Sequence, residues 1–139
     1  MGAWGIGPFE NDDALDFLGE VENAEDRLGA MSRPLEHVAF AGGYLEATDI
    51  SEAVAAAGVI GAAVRPSAAA GEPYLPEWVT ALTPADVDNG IAEVARKALR
   101  RAMQPEDNEL WELWEEGGAG AEFQATLARI LSWLGDRDD

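Results

Sequence analysis

Apolar residues recur along most of the chain at the spacing of an α-helix, and no segment alternates with period two for long enough to form a strand. The clearest case is a helical face at i, i+3, i+4 and i+7 that comprises Ala14, Phe17, Leu18 and Val21. Similar faces follow later in the chain. The pattern predicts an all-α fold, an irregular bundle of five to seven helices, in a single domain that spans residues 1–139.

Polar residues mark the start of the first helix. Asn11 suits the N-cap, because its side-chain oxygen can accept a backbone N–H that has no partner within the helix. Asp12 and Asp13 then fall in the first turn, where carboxylates meet the positive end of the helix dipole. Because the apolar stripe continues through residues 20–31, we expect this helix to extend there and to end near Gly29.

Start signals place the next two helices. Ser32 can cap a second helix with Pro34 in its first turn, where a missing N–H costs nothing. Asp49 and Glu52 match a capping box, which predicts a third helix that continues through residues 51–64. Many of its residues are alanine or glycine, which let a neighbouring helix approach closely. We therefore expect it to be the central helix of the bundle.

Prolines and a second cap divide the next part of the chain. Residues 65–76, rich in proline, predict the longest loop, and a short helix is expected over residues 76–82. Thr83 and Asp86 form another cap, which predicts a long helix directly after it, ended by Pro105. The apolar face of that helix comprises Val87, Ile91, Val94, Ala95, Ala98, Leu99 and Ala102.

Two further helices complete the pattern. Residues 108–116 predict a short helix whose apolar residues turn mostly inward, namely Leu110, Trp111, Leu113 and Trp114. A glycine-rich connector over residues 117–120 leads into a last helix over residues 121–134, which carries Trp133 on its flank.

The composition is that of a folded protein with an extreme negative charge. Hydrophobic residues make up 47% of the 139 residues, which is enough for a core. The 27 acidic and 9 basic residues give a formal net charge of -18. Such a charge opposes direct binding to nucleic acid or to an anionic membrane, and it favours a monomer or a weak homodimer. It fits either a mimic of DNA phosphates that occupies a basic protein or an ordinary acidic protein.

Four cations gather near the C-terminal end of the long helix, and they are Arg96, Lys97, Arg100 and Arg101. They could form a nucleic-acid surface, or they could offset the negative end of the helix dipole and pair with nearby acids. The second interpretation is the stronger, since cations have this role at helix C-termini in general.

The chain offers few groups for catalysis. It has no cysteine, which excludes disulfides, thiolate metal sites and cysteine nucleophiles and fits a reducing cytoplasm. His37 is the single histidine, and such a residue is more often a partly exposed helix residue than a base. No secretion signal is visible, and the weakly polar residues 53–64 are too few to span a bilayer. We expect a soluble cytoplasmic protein with no membrane association and no catalytic residue.

A stretch rich in glycine and aromatic residues precedes the first helix. Its loop-forming residues are Gly2, Gly5, Gly7 and Pro8. They predict an ordered Gly/aromatic N-terminal loop in which Trp4 and Phe9 turn inward. The stretch lacks the third glycine and the preceding strand of a dinucleotide-binding loop, and Ile6 stands where an N-myristoylation motif has Ser or Thr.

The candidate binding residues come from the same stretch, and they are Trp4, Phe9, Asn11, Asp12 and Asp16. We favour a structural role, with the aromatic rings buried on the helices, over a partner-binding surface. A divalent-metal site would use Asp12, Asp16 and Glu20 on one helical face, since hard cations take oxygen ligands. Such sites usually draw ligands from loops or from several elements, so we assign no metal ligand and no cofactor.

The opening residues also carry a resemblance. MGAWGIGPFENDDALDF is similar to the signature M-G-[AT]-W-G-x-G-x-F-[DE]-N-D of an uncharacterised bacterial family, domain of unknown function 4259. The matching residues are Met1, Gly2, Ala3, Trp4, Gly5, Gly7, Phe9, Glu10, Asn11, Asp12, Ala14 and Asp16. The resemblance implies a helix that bears alanine and aspartate after the loop, and it implies no activity.

Two function hypotheses remain. The first is a non-catalytic acidic protein-interaction module, such as an inhibitor, an immunity-type protein or an adaptor, that binds a basic protein partner. The second is a carboxylate-based, metal-dependent enzyme that uses the N-terminal acidic helix. We favour the first, because a large negative field accompanies the absence of cysteine, of a second histidine and of a serine in a nucleophile elbow.

Overall fold

Seven α-helices form an irregular bundle in the computed structural model, which describes residues 5–135. They are α1 (Asp12–Glu22), α2 (Arg27–Ala39), α3 (Ala47–Val64), α4 (Pro66–Ala69), α5 (Asn89–Met103), α6 (Glu109–Glu116) and α7 (Gly120–Trp133). Two 3-10 turns, Glu77–Ala81 and Pro84–Asp86, lie between α4 and α5. The described residues include no strand, so the predicted all-α bundle of five to seven helices is confirmed.

The centre of the bundle is α3, as the sequence predicted. Thirteen of its 18 residues are buried, and it contacts α1, α2, α5, α6 and α7. Two glycines allow the closest approaches: Phe9 packs over Gly58, and Trp133 packs over Gly61. By length and composition α3 is also the one helix in residues 5–135 that could cross a membrane, and 72% of it is buried inside the bundle.

The boundary between α1 and α2 differs from the prediction. The apolar face of α1 is confirmed, but α1 ends at Glu22, and Asp26 caps α2 by accepting the Gly29 N–H at 3.0 Å. The Arg27 guanidinium donates to the Glu22 carbonyl, so polar side chains satisfy both helix ends at this break. The expected extension of the first helix through residues 20–31 is therefore wrong.

Ser32 does not start a helix either. It lies inside α2, where its hydroxyl donates to the Leu28 carbonyl at 3.0 Å, and Pro34 is an interior residue of the same helix. Because Met31, Leu35 and Val38 are fully buried, tertiary packing holds this segment helical although proline removes one backbone donor.

The start of α3 is capped by a distant residue. Glu46 occupies the N-cap without a side-chain hydrogen bond, and Glu109 Oε1 of α6 accepts the Ala47 N–H at 2.8 Å. The predicted capping box of Asp49 and Glu52 is wrong, because both residues lie within the helix. The chain segments ahead of α3 and α6 also pair: the Leu45 N–H donates to the Asp107 carbonyl, and the Glu109 N–H donates to the Leu45 carbonyl.

The second cap forms but starts a different element. Thr83 and Asp86 make the predicted capping box around a single 3-10 turn, and α5 begins later, with Asp88 accepting the Ile91 N–H at 2.8 Å. On the predicted apolar face, four residues are buried: Ala95, Ala98, Leu99 and Ala102. Ile91 and Val94 are only half-buried, and Val87 precedes the helix.

The segment between α3 and α5 is irregular, as expected. It includes the short α4, and the first 3-10 turn replaces the predicted helix over residues 76–82. Glu72, whose side chain is 8% exposed, forms an ion pair with Arg129 of α7 at 2.6 Å. This pair joins the segment to the last helix, with the Arg129 side chain 45% exposed.

The last two helices begin close to their predicted positions, but two side chains differ. Leu113 of α6 is 38% exposed rather than inward, and the other three apolar residues of α6 are half-buried. Trp133, expected on the flank of α7, is 2% exposed and packs against Gly61. The glycine explains this burial, because it leaves room for an indole ring at the centre of the bundle.

Candidate functional site

The N-terminal loop is closed by its own glutamate. Glu10 Oε1 accepts the Gly7 N–H at 3.1 Å, and the Glu10 backbone bonds to Gly5 and Gly7. Phe9, at the turn, is fully buried against Gly58 of α3. The predicted inward position of Phe9 is therefore confirmed, whereas Trp4 lies outside the described residues.

The other sequence-predicted site residues do not form a pocket with Phe9. Asn11 Oδ1 accepts the Ala14 N–H at 2.8 Å, which confirms its role as the cap of α1. Asp12 and Asp16 are exposed on α1. The cavity below the loop measures about 30 Å³, little more than one water molecule. Phe9 and Asn11 thus anchor the loop and the start of α1.

A larger cleft lies between α1, α2 and α3, and we call it the acidic cleft. Its volume is about 410 Å³, and its lining residues are Phe17, Glu20, Arg33, Pro34, His37, Asp49 and Glu52. Glu20 follows the buried face of α1, while Asp49 and Glu52 occupy the first turns of α3. The carboxylates of the cleft therefore come from α1 and α3, whereas α2 contributes Arg33, Pro34 and His37.

The charges in the acidic cleft do not balance. Partial burial raises the pKa of Glu52 above its ordinary value, and the carboxylates of Asp49, Glu20 and Asp13 raise it further. Arg33 acts in the opposite direction but does not outweigh them. The cleft therefore has a surplus of negative charge.

His37 lies beside one of the carboxylates of the cleft. Its Nε2 lies 3.4 Å from Asp49 Oδ2, and its side chain is 59% exposed. Protonation of the imidazole would give an ion pair with Asp49. The carboxylates of Glu20, Asp49 and Glu52 line the cleft, and together they can attract a cation.

The sequence did not reveal this cleft. From the sequence, Glu20 is a candidate metal ligand with Asp12 and Asp16, and Glu52 is a member of a capping box. Residues 5–135 contain no group of three or more histidine and carboxylate side chains arranged to hold a metal ion. Acids beside the apolar faces of α1 and α3 are the sequence signal for this cleft, but their convergence depends on tertiary packing.

The cationic cluster on α5 is engaged within the molecule. Arg96 donates to the Leu134 carbonyl at 2.9 Å and to the Glu93 carboxylate at 2.9 Å. The hydrogen bond to Glu93 lowers the pKa of that carboxylate. Arg101 donates to the Asp107 carbonyl at 3.1 Å, and the Lys97 ammonium lies 4.6 Å from the centre of the Phe40 ring. These contacts support the second interpretation of the cluster, in which its cations pair with nearby acids and backbone carbonyls rather than bind nucleic acid.

One comparison with known proteins gives a match. A family described as "Domain of unknown function (DUF4259)" matches residues 2–126. No curated protein and no solved structure matches the chain.

Proposed function

The chain belongs to the DUF4259 family, since the match covers most of its length. For this member of the family we propose the function of a non-catalytic cytoplasmic interaction module. In this proposal the module acts as an inhibitor, immunity-type protein or adaptor. It binds a basic protein partner, and the acidic cleft receives a lysine or arginine side chain of that partner. The family assignment supplies no activity, so the proposal depends on the chemistry of the cleft.

The surplus of negative charge around Glu52 carries the proposal. An ammonium or guanidinium group would relieve the repulsion between Glu52 and its neighbours Asp49 and Glu20. Phe17 and Pro34 offer apolar surface for the aliphatic stem of such a side chain. The net charge of -18 would also steer a basic partner towards the molecule.

Affinity capture with cleft variants tests the proposal. We expect the immobilised protein to retain basic proteins from an extract and to release them as the salt concentration rises. The double variant Glu20→Gln/Glu52→Gln should retain at least about tenfold less, because Glu52 is partly buried and a charge pair formed there contributes more than a fully exposed pair. The matched control is Asp12→Asn/Asp16→Asn, which removes the same charge from the exposed side of α1.

The control variant also distinguishes the alternatives. Loss of capture in the control but not in the cleft variant would contradict the cleft and favour the N-terminal surface. Partners that are neutral, or that salt does not release, would contradict the proposal as a whole. A rise in melting temperature with Mg²⁺, Mn²⁺ or Ca²⁺ that the control variant abolishes would favour the metal-dependent enzyme.

A further inference from the structure

A second concave surface lies between α2 and α5, and we call it the α2–α5 groove. Its volume is about 460 Å³, slightly larger than that of the acidic cleft. Its floor is apolar: Leu28 comes from α2, and Ile91 and Val94 come from α5. All three side chains pack on the core and are only partly buried, so each keeps one face in the groove.

Gly90 helps to keep the groove open, whereas the Asp26 carboxylate fills the space beside Gly29. Gly29 and Gly90 lie in the first turns of α2 and α5, and both line the groove without adding a side chain. A Cβ at Gly90 would contact only Asp88 Oδ1, at 3.1 Å, so no other group fills the space above it.

The rim of the groove is acidic. Asp26, Glu36 and Asp88 line it, and its lining includes no lysine, arginine or histidine. Asp26 and Asp88 also cap their helices, so their carboxylates are fixed at the groove edge. An apolar floor with an exclusively negative rim favours an apolar ligand that is flanked by positive charge.

We propose that the α2–α5 groove docks the apolar face of a basic amphipathic helix. From Leu28 to Glu36 the groove follows nine residues of α2, which rise by about 12 Å, or about two turns of a docked helix. A helix of this kind presents apolar anchors at i, i+3 or i+4 and i+7 to a groove. Its lysines or arginines would face the three rim carboxylates. The inference rests on the proposed function only in taking the partner to be basic.

A synthetic peptide tests the groove directly. The probe is a fluorescent helical peptide of about 15 leucine and lysine residues with the leucines on one face, and its control is the same composition in scrambled order. We expect the amphipathic peptide to bind at least about tenfold more tightly than the scrambled one by fluorescence anisotropy. Backbone amide shifts on binding should cluster at Leu28, Ile91 and Val94. Equal affinity for the two peptides, or shifts spread over the acidic surface, would overturn the inference.

Charge-matched variants locate the binding site. Glu36→Lys changes an exposed rim residue and should weaken peptide binding about tenfold, whereas Glu116→Lys, at the exposed end of α6, changes the net charge equally and should leave affinity within about threefold. Val94→Lys should also abolish the preference for the amphipathic peptide. If Val94→Lys does not fold, as judged by circular dichroism, Glu36→Lys decides the question. Equal weakening by Glu36→Lys and Glu116→Lys would contradict a specific groove.

The outcome separates this inference from the proposed function. If the peptide does not select the groove but salt-sensitive capture still depends on Glu20 and Glu52, the groove is wrong and the proposed function stands. If the peptide docks in the groove but capture shows no dependence on those residues, the proposed role of the acidic cleft is wrong and the groove stands.

Discussion

At the scale of single residues, the contact between Phe9 and Gly58 fixes the N-terminal loop on α3. A Cβ at position 58 would lie 3.0 Å from Phe9 Cζ and 3.4 Å from Pro8 Cβ. Phe9 is fully buried, and the hydrogen bonds between Glu10 and the two glycines Gly5 and Gly7 close the loop around it. The ring therefore has little freedom to move away.

We expect Gly58→Ala to lower the free energy of unfolding by about 1 kcal/mol, because overpacking outweighs the better helix propensity of alanine. Urea denaturation measures the change. In a Phe9→Leu background the same substitution should cost less, since the two sites are coupled. The control is Gly19→Ala in α1, where a Cβ would meet nothing within 4 Å. This substitution should raise the free energy of unfolding by about 0.5–1 kcal/mol. A stabilising Gly58→Ala would show that the loop shifts freely.

The raised pKa of Glu52 makes stability depend on pH. The folded protein holds this proton more tightly than the unfolded chain does, so the favourable contribution is complete below the ordinary value of 4.5. It is lost as the pH rises through the raised pKa. Glu52→Gln should therefore exceed the wild type in stability at pH 7 by less than about 1 kcal/mol, because solvent screens the group.

Denaturation at several pH values checks this expectation. The difference between Glu52→Gln and the wild type should vanish towards pH values below 4.5. Glu93→Gln is the opposite control: Arg96 lowers the pKa of Glu93, so its stabilising contribution is present at neutral pH and lost in acid. The glutamine variant at position 93 should then be less stable at pH 7. The same sign for both variants would contradict the assignment of charges in the cleft.

At the scale of elements, Asn108 joins two helices. It is fully buried, its Oδ1 accepts the Trp111 N–H at 2.8 Å, and its Nδ2 donates to the carbonyls of Ala102 and Gln104 at 2.7 and 2.9 Å. One amide thus caps the start of α6 and satisfies carbonyls at the end of α5. The close turn between the helices also places Asp107 at a positive φ of 51°.

Asn108→Ala should lower the free energy of unfolding by about 2–4 kcal/mol, because it removes a cap and leaves the buried Ala102 carbonyl and the partly buried Gln104 carbonyl without this donor. Asn11→Ala, which removes a cap alone, should cost about 1 kcal/mol. Thermal and urea denaturation of the two variants measure the difference. Equal losses would mean that the two carbonyls find other partners.

Local signals at helix ends were readable from the sequence only where the cap lies next to its helix. The cap by Asn11 and the stop after Met103 follow from neighbouring residues, and both were predicted. The start of α3 was not predicted, because the group that caps it, the Glu109 side chain, lies 62 residues away in the sequence. The acidic cleft was missed for the same reason. Its carboxylates meet only after three helices pack, whereas the sequence indicates only which side of each helix is buried.

At the scale of the whole molecule, the net charge of -18 works against the compact state. Like charges repel more strongly in the folded protein than in the expanded chain. The apolar faces of the helices could be predicted because apolar residues recur with the helical period. The position of the acids around the acidic cleft and the α2–α5 groove could not be predicted, because it depends on how the helices pack.

Added salt should therefore raise the stability of the protein. We expect the melting temperature to increase by several degrees as KCl rises from about 10 mM to about 0.5 M, because salt screens repulsion between exposed carboxylates. Calorimetry measures the shift, and an uncharged osmolyte at equal osmolality controls for exclusion effects. A melting temperature that falls with salt would mean that the attraction within ion pairs, such as Glu72 with Arg129, outweighs the repulsion.

The paired segments ahead of α3 and α6 have a consequence for slow amide hydrogen exchange. The Ala47 N–H is bonded to α6, and the Leu45 and Glu109 N–H groups bond across the same junction. None of these amides can meet solvent unless the junction opens, so all three should exchange with the same opening free energy. Two stretches of chain that are distant in sequence would then behave as one cooperative unit.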